Sequence, residues 1–169
     1  MNTTNISTYF EHFIQECERN FNFLSYFWYG KPNVNFIDGK GNISIENSHS
    51  VMIEYRTKLR TLEITYVINS LDEEEITSLK SRDISTEHIL IYVRNRRMKS
   101  LYDNYISLSR YMKLKHPNID LKDYGFCNDL SRLKNIERVL YNLSGFMKAK
   151  MKLILLGISW DNNSYYDYR

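Results

Sequence analysis

The chain is poor in the residues that stabilise small folds through disulfides or bound metal ions. Its 169 residues include only two cysteines, Cys17 and Cys127, with six glycines and two prolines. Two cysteines are too few for a disulfide framework or a four-cysteine zinc site. A single disulfide between them is possible in principle, but we expect both to be free, half-buried thiols in a reducing compartment. A chain of this length needs neither a disulfide nor a structural metal for stability, because folding buries about 70% of the surface that the unfolded chain exposes.

Long apolar runs and a targeting segment are also missing. The longest aliphatic run covers residues 153–156, far short of the roughly 20 residues that span a bilayer. The first five residues include no basic side chain and lead into no apolar run of signal length. We therefore expect a cytoplasmic protein with no membrane partner.

The sequence also lacks the motifs of an enzyme. Its four histidines are scattered, and none lies at metal-ligand spacing from a cysteine or another histidine. Gly39-Lys40-Gly41 lacks the continuation of a phosphate-binding loop. His12 and Glu16 are four residues apart, a spacing that favours an exposed pair on a helix over a metal or acid–base site. We expect no catalytic activity, no cofactor and no metal.

What the sequence does contain is a change of hydrophobic period. Apolar residues fall on every second position over about 34–68, which predicts antiparallel strands with one buried face. Turns are predicted at the glycines of 39–41 and at Thr57-Lys58. An apolar stripe at helical spacing precedes this block and predicts a helix over 8–26. Thr8 and Glu11 have the spacing of a capping box, so we expect the helix to begin there.

The second half of the chain is predicted to be mainly helical. The segment 88–93 is ambiguous, because its residues are β-prone yet also fit a helix that continues to Lys113, and helix is favoured. A long stripe predicts the last helix over about 129–155. Gly157 then stands where a C-cap glycine is common, and residues 158–169 form a short tail.

Together these patterns predict one α+β domain over 1–169, with an antiparallel sheet meander packed against N-terminal and C-terminal amphipathic helices.

Charge is divided unevenly along the chain. Residues 1–83 contain 8 basic and 12 acidic side chains, a net charge of −4, whereas residues 84–169 contain 15 and 8, a net charge of +7. The two halves therefore need not face the same kind of partner.

The order of several short segments carries a family resemblance. They are FIQECE at 13–18, FNFL at 21–24, VMIEY at 51–55, LEITY at 62–66 and LILLGISW at 153–160. In this order the chain resembles small cytosolic immunity proteins of bacterial polymorphic-toxin and contact-dependent growth inhibition systems. The resemblance implies a non-enzymatic protein that binds one cognate toxin C-terminal domain, such as a nuclease, and blocks it.

No toxin-binding motif comes with that resemblance, so the binding surface is inferred from charge and aromaticity. Because many such toxins are nucleases with basic clefts, an acidic face would be complementary. The candidate carboxylates are Glu46, Glu54, Glu63, Asp72, Glu73, Glu74 and Glu75. Trp28 and Tyr55 are candidate anchors, since interface hot spots favour these residue types. The other interpretation of residues 72–75 is a solvated helix N-terminus.

Two other functions are compatible with the sequence. Basic side chains interleave with tyrosines at the start of the second half, as on a surface that contacts phosphates and stacks bases. The basic residues of this segment are Arg94, Arg96, Arg97, Lys99, Arg110, Lys113 and Lys115, and the tyrosines are Tyr92, Tyr102, Tyr105 and Tyr111. No nucleic-acid motif accompanies them, so an ordinary solvated face is favoured and nucleic acid is not the expected partner. The third hypothesis is a viral or host-interaction adaptor, although the alternating block argues against an all-helical version of it.

Overall fold

A computed structural model describes residues 3–38, 48–67, 89–98, 104–126 and 136–161. The elements in chain order are α1 (Thr3–Asn20), a first 3₁₀-helix (Asn22–Phe27), β1 (Asn33–Asp38), β2 (Ser48–Arg56), β3 (Arg60–Val67), β4 (Ile89–Asn95), β5 (Tyr105–Ser107), α2 (Leu108–Lys115), a second 3₁₀-helix (Leu121–Tyr124), α3 (Ile136–Lys150) and α4 (Lys152–Leu155). This architecture confirms the predicted α+β fold class.

The sheet is a five-stranded antiparallel meander in the order β1-β2-β3-β4-β5. The predicted turn at Thr57-Lys58 is confirmed. Its geometry is set by the Thr57 hydroxyl, which accepts hydrogen bonds from the backbone N–H groups of Leu59 at 3.1 Å and Arg60 at 2.8 Å. This turn fixes the register of β2 against β3, so that Glu54 lies directly opposite Glu63.

The helix favoured over 88–113 is wrong. Residues Ile89–Asn95 form strand β4, with the core side taken by Ile89, Ile91 and Val93. Period-two alternation of β-branched residues prevails here because both neighbouring strands offer backbone partners, which a helix in this place would leave unpaired. The helix that follows begins only at Leu108 and ends at Lys115.

Helix α1 also differs from its predicted bounds of 8–26. It begins at Thr3, so Thr8 and Glu11 lie inside the helix and do not form the predicted capping box. It ends at Asn20, and residues Asn22–Phe27 tighten into a 3₁₀-helix. Within its apolar stripe Phe10, Phe13 and Cys17 are buried, as predicted, and Ile14 is partly buried. Phe13 stacks on Tyr66 of β3 with ring centroids 4.9 Å apart.

The last predicted helix is divided in two. Its described part runs over Ile136–Lys150, is interrupted at Met151 and resumes as α4. The predicted start near 129 lies outside the described residues. Gly157 is confirmed as a glycine in the left-handed region, with φ of +78°, and a Cβ there would lie 2.6 Å from Leu59 Cδ1. The glycine therefore allows the chain to pass close to the β2–β3 turn.

The core lies on one face of the sheet, between the strands and the helices. Side chains from α1, α2 and α3 join the inward residues of β2, β3 and β4 in a single buried cluster. Cys17 is a free thiol, as expected, but it is fully buried within this cluster and not half-buried. The predicted glycine turn at 39–41 and Cys127 lie outside the described residues. Among the described helices, none has both the length and the apolar character needed to cross a membrane.

Candidate functional site

The candidate site is the face of the sheet opposite the core, here called the outer face. Alternation along β2, β3 and β4 places Val51, Ile53 and Tyr55 inward and sends the residues between them outward. Register then aligns the outward residues in three rows across the strands. The rows are Met52, Thr65 and Leu90; Glu54, Glu63, Tyr92 and Ser107; and Arg56, Thr61, Arg94 and Tyr105.

Two carboxylates meet at the centre of the outer face. Glu54 and Glu63 are directly opposite each other on neighbouring strands, where side chains lie in contact range. Arg56 holds Glu54 from the same strand. Its Nε is 2.5 Å from Glu54 Oε1 and its Nη2 is 2.9 Å from Oε2, a bidentate pair. Glu54 is only 7% exposed, and the Arg56 guanidinium offsets its charge within the protein.

Glu63 is in a less favourable electrostatic environment. Burial and the nearby Glu54 carboxylate raise the pKa of Glu63, and the positive charges of Arg94 and Arg56 offset this only in part. Like charges on directly opposite residues destabilise a sheet. The outer face therefore has a carboxylate that would gain from an additional cation.

An aromatic and cationic cluster adjoins the carboxylates on the β4 and β5 side. The rings of Tyr92 and Tyr105 meet edge to face with centroids 6.2 Å apart. The Arg94 guanidinium lies 5.3 Å from the Tyr105 ring centroid, within cation–π range. Arg94 Nε is buried, and among the described residues it has no hydrogen-bond partner. Tyrosine and arginine are the residue types that most often dominate protein interfaces.

The sequence-predicted carboxylates have different outcomes. The structure brings Glu54 and Glu63 together on one surface. Glu46 and the carboxylates Asp72, Glu73, Glu74 and Glu75 lie outside the described residues.

The two predicted aromatic anchors, Tyr55 and Trp28, differ in their exposure. Tyr55 cannot be a surface anchor, because it points to the core face, is 4% exposed and packs against Phe21 at 6.4 Å between ring centroids. The cause is strand alternation: a residue next to outward-facing Glu54 must face inward. Trp28 is 82% exposed, as an anchor needs to be.

Trp28 also has an unusual backbone. It ends the first 3₁₀-helix with φ of +62°, a backbone conformation that residues other than glycine seldom adopt. Tyr26, two residues earlier, is 82% exposed as well. Two residues later, the Gly30 N–H donates to the Arg56 carbonyl at 3.1 Å. This hydrogen bond places the aromatic corner beside the end of β2 at which Arg56 meets Glu54.

The described side chains of the basic segment make separate contacts. Arg94 lies on the outer face, whereas Arg96 extends from the turn after β4 and donates from Nη1 to the Thr57 carbonyl at 2.7 Å. Lys115 pairs with Asp161 at 3.0 Å. Tyr102 and Lys99 lie outside the described residues.

Sequence reasoning missed Arg60, the most buried charged residue described. It is 3% exposed, and its Nη1 donates to Asn95 Oδ1 at 2.7 Å. Its guanidinium also lies 4.8 Å from the Trp160 ring centroid. Burial lowers the pKa of Arg60 from its ordinary value. The signal was present, since Arg60 shares the inward parity of Leu62, Ile64 and Tyr66 on β3.

Comparison with known protein families, curated proteins and solved structures gave no match.

Proposed function

We propose that this chain is a non-catalytic binding protein of the cytoplasm that neutralises the C-terminal domain of a bacterial toxin. Two lines of support combine. The order of short sequence segments resembles toxin-immunity proteins, and the outer face of the sheet has the composition of a protein-binding surface. The observation that carries the proposal is the Glu54–Glu63 pair at the centre of that face, with aromatic and arginine side chains around it.

The outer face suits a protein partner because it combines flat apolar area with a few fixed charges. Met52 and Leu90 lie in one row and remain half-buried, while Tyr92 and Tyr105 present rings nearby. Interfaces typically pair such an aromatic and apolar centre with polar groups that fix orientation. A broad protein surface would cover these residues and exclude water around them.

The structure refines the charge argument made from the sequence. Glu54 is already engaged by Arg56, so it adds little to long-range attraction. Glu63 is the carboxylate whose environment a partner can improve. A lysine or arginine of a basic toxin placed beside Glu63 would offset its repulsion with Glu54. Trp28 would provide a second anchor beside Arg56, at the C-terminal end of β2.

The test is co-expression with the product of the adjacent upstream reading frame, followed by co-purification and titration calorimetry. Glu63→Lys and Tyr92→Ala should each weaken binding, because one reverses the central charge and the other removes a central ring. Glu18→Lys is the matched control, since Glu18 is exposed on α1, which packs on the opposite face. Its binding should match that of the unchanged protein.

Two results would contradict the proposal. One is a stable complex whose affinity is indifferent to both outer-face substitutions. The other is the absence of any protein partner together with salt-dependent, micromolar binding of nucleic acid, which would favour the nucleic-acid hypothesis.

A further inference from the structure

A second cluster of functional side chains lies between α1 and α3, away from the outer face. His12 and Glu16 are one turn apart on α1, and Glu137 reaches them from the first turn of α3. His12 Nε2 is 3.7 Å from Glu137 Oε1. One ligand-type atom from each of the three residues lies within 4.8 Å of the other two. The sequence could not show this, because it does not tell which helix faces meet.

Glu16 is not the solvated residue that the sequence predicted. Its side chain is 9% exposed, although its partner Arg19 is 65% exposed. Arg19 Nη2 contacts Glu16 Oε2 at 2.6 Å, and Asn20 Nδ2 lies 3.3 Å from the same oxygen. Both contacts are made to Oε2, so they orient the carboxylate and leave Oε1 free of these two donors. Metal-binding carboxylates are commonly oriented in this way by an outer hydrogen bond.

The spacing of the three groups is close to that of a coordination sphere. Zinc binds imidazole nitrogen at about 2.0–2.1 Å and carboxylate oxygen at about 2.0–2.2 Å, so ligand atoms of a tetrahedral site lie roughly 3.4 Å apart. The His12–Glu137 distance of 3.7 Å is already near this value. Small side-chain rotations would bring in the third ligand atom.

The charge balance favours a cation over an ion pair alone. Two carboxylates converge here, and among the described residues the contacts above supply one full positive charge, that of Arg19, to Glu16. With Arg19 the two carboxylates keep a net charge of −1, which a divalent cation would more than neutralise, and a water molecule would complete the sphere on the exposed side, where His12 and Glu137 are about half exposed.

We propose that His12, Glu16 and Glu137 form a binding site for a divalent first-row transition metal such as Zn²⁺, which links α1 to α3. The imidazole and two carboxylates are ligands that suit this class of ion. The site is structural in this proposal: it joins two helices that form one wall of the core. It lies on the helical side of the sheet and does not depend on the toxin-binding proposal.

Titration calorimetry of ZnCl₂ into untagged, metal-free protein tests the site. We expect one ion per chain with micromolar or tighter affinity, and a higher melting temperature in the presence of the ion. His12→Ala and Glu137→Gln should each weaken binding about tenfold or more. Glu18→Gln on the same helix is the matched control and should leave binding unchanged, as should His116→Ala.

A spectroscopic measurement keeps the proposal testable if a variant is unstable. Co²⁺ bound to the intact protein should show visible absorption that changes when His12 is replaced, because the imidazole nitrogen contributes to the ligand field. The proposal is overturned if no saturable Zn²⁺ binding occurs, or if affinity is the same in the His12 and Glu137 variants as in the unchanged, folded protein. Loss of binding in His116→Ala alone would assign the ion elsewhere.

Discussion

Arg60 on β3 donates from Nε to the carbonyl oxygen of Ile154 on α4 at 3.0 Å, although the two residues are 94 positions apart. The same guanidinium donates from Nη2 to the Ser159 carbonyl at 3.0 Å. A buried arginine thus donates to one carbonyl at the C-terminal end of α4, where a positive charge is favourable, and to another in the segment that follows the helix. It couples the sheet to α4, the last helix in the described part of the chain.

The first prediction concerns this coupling. Arg60→Ala should lower the free energy of unfolding by about 3 kcal/mol or more, because several buried acceptors lose their donor together. Arg60→Lys should recover only part of the loss, since an ammonium group cannot reproduce the planar fork. Urea denaturation gives the comparison, with Arg138→Ala on the exposed side of α3 as the control. Equal midpoints for Arg60→Ala and the control would disprove the coupling.

Arg60 also shows what the sequence pattern can and cannot predict. The alternation of Leu62, Ile64 and Tyr66 correctly predicts a strand and its buried side, and the same parity places Arg60 in the core. The pattern contains no information on the acceptors, because they come from residues 154 and 159 at the far end of the chain. Local periodicity predicts which face is buried, and tertiary packing decides what meets it.

The outer face likewise shows which features local periodicity predicts and which depend on tertiary packing. Alternation and the tight turn at Thr57-Lys58 were sufficient to predict that Glu54 and Glu63 lie on neighbouring strands. They were not sufficient to predict that Arg56 would neutralise Glu54. Tyr55 was misassigned as a surface anchor because aromaticity was given more weight than strand parity. The segment 88–93 was misassigned because short β-branched runs fit both periods, and only the neighbouring strands decide between them.

The second prediction compares two glycines. Gly157→Ala should destabilise the protein by about 1 kcal/mol or more, because φ of +78° strains an alanine and its Cβ would collide with Leu59. Gly145→Ala on α3 is the matched substitution: nothing lies within 4 Å of its Cβ position, and alanine is the better helix former. It should stabilise the protein by up to about 1 kcal/mol. Thermal unfolding of both variants checks the opposite signs, and destabilisation by Gly145→Ala would contradict the packing.

The third prediction concerns the pH dependence that Glu63 introduces. Burial and Glu54 raise its pKa in the folded protein, so the folded state binds the proton more tightly than the unfolded state. Its contribution to stability is therefore favourable while it is protonated. That contribution is lost as pH rises through the unfolded pKa of about 4.3 to the raised folded value.

Glu63→Gln should accordingly increase the stability of the protein at pH 7. It should have little effect at pH 3.5, where the Glu63 carboxyl is mostly protonated and therefore neutral like the glutamine that replaces it. Urea midpoints measured at the two pH values give the result, with Glu18→Gln as an exposed control. A lower midpoint for Glu63→Gln at pH 7 would mean that the ionised carboxylate is stabilised in the fold, contrary to the like-charge pairing with Glu54.

The last prediction separates binding from folding at Trp28. This side chain is 82% exposed and its backbone has φ of +62°, so glycine should replace it with little effect on the fold. We expect the stability of Trp28→Gly to stay within about 1 kcal/mol of the unchanged protein, because relief of the left-handed strain offsets the added flexibility of glycine. If Trp28 anchors the toxin domain, the same substitution should cost about 2 kcal/mol of binding, roughly a thirtyfold loss of affinity. Tyr141→Ala is the control, since Tyr141 is 70% exposed on α3 and belongs to neither the outer face nor the Trp28 corner. Unchanged affinity in Trp28→Gly would restrict the binding surface to the outer face, and a large loss of stability would show that the exposed indole is needed for folding.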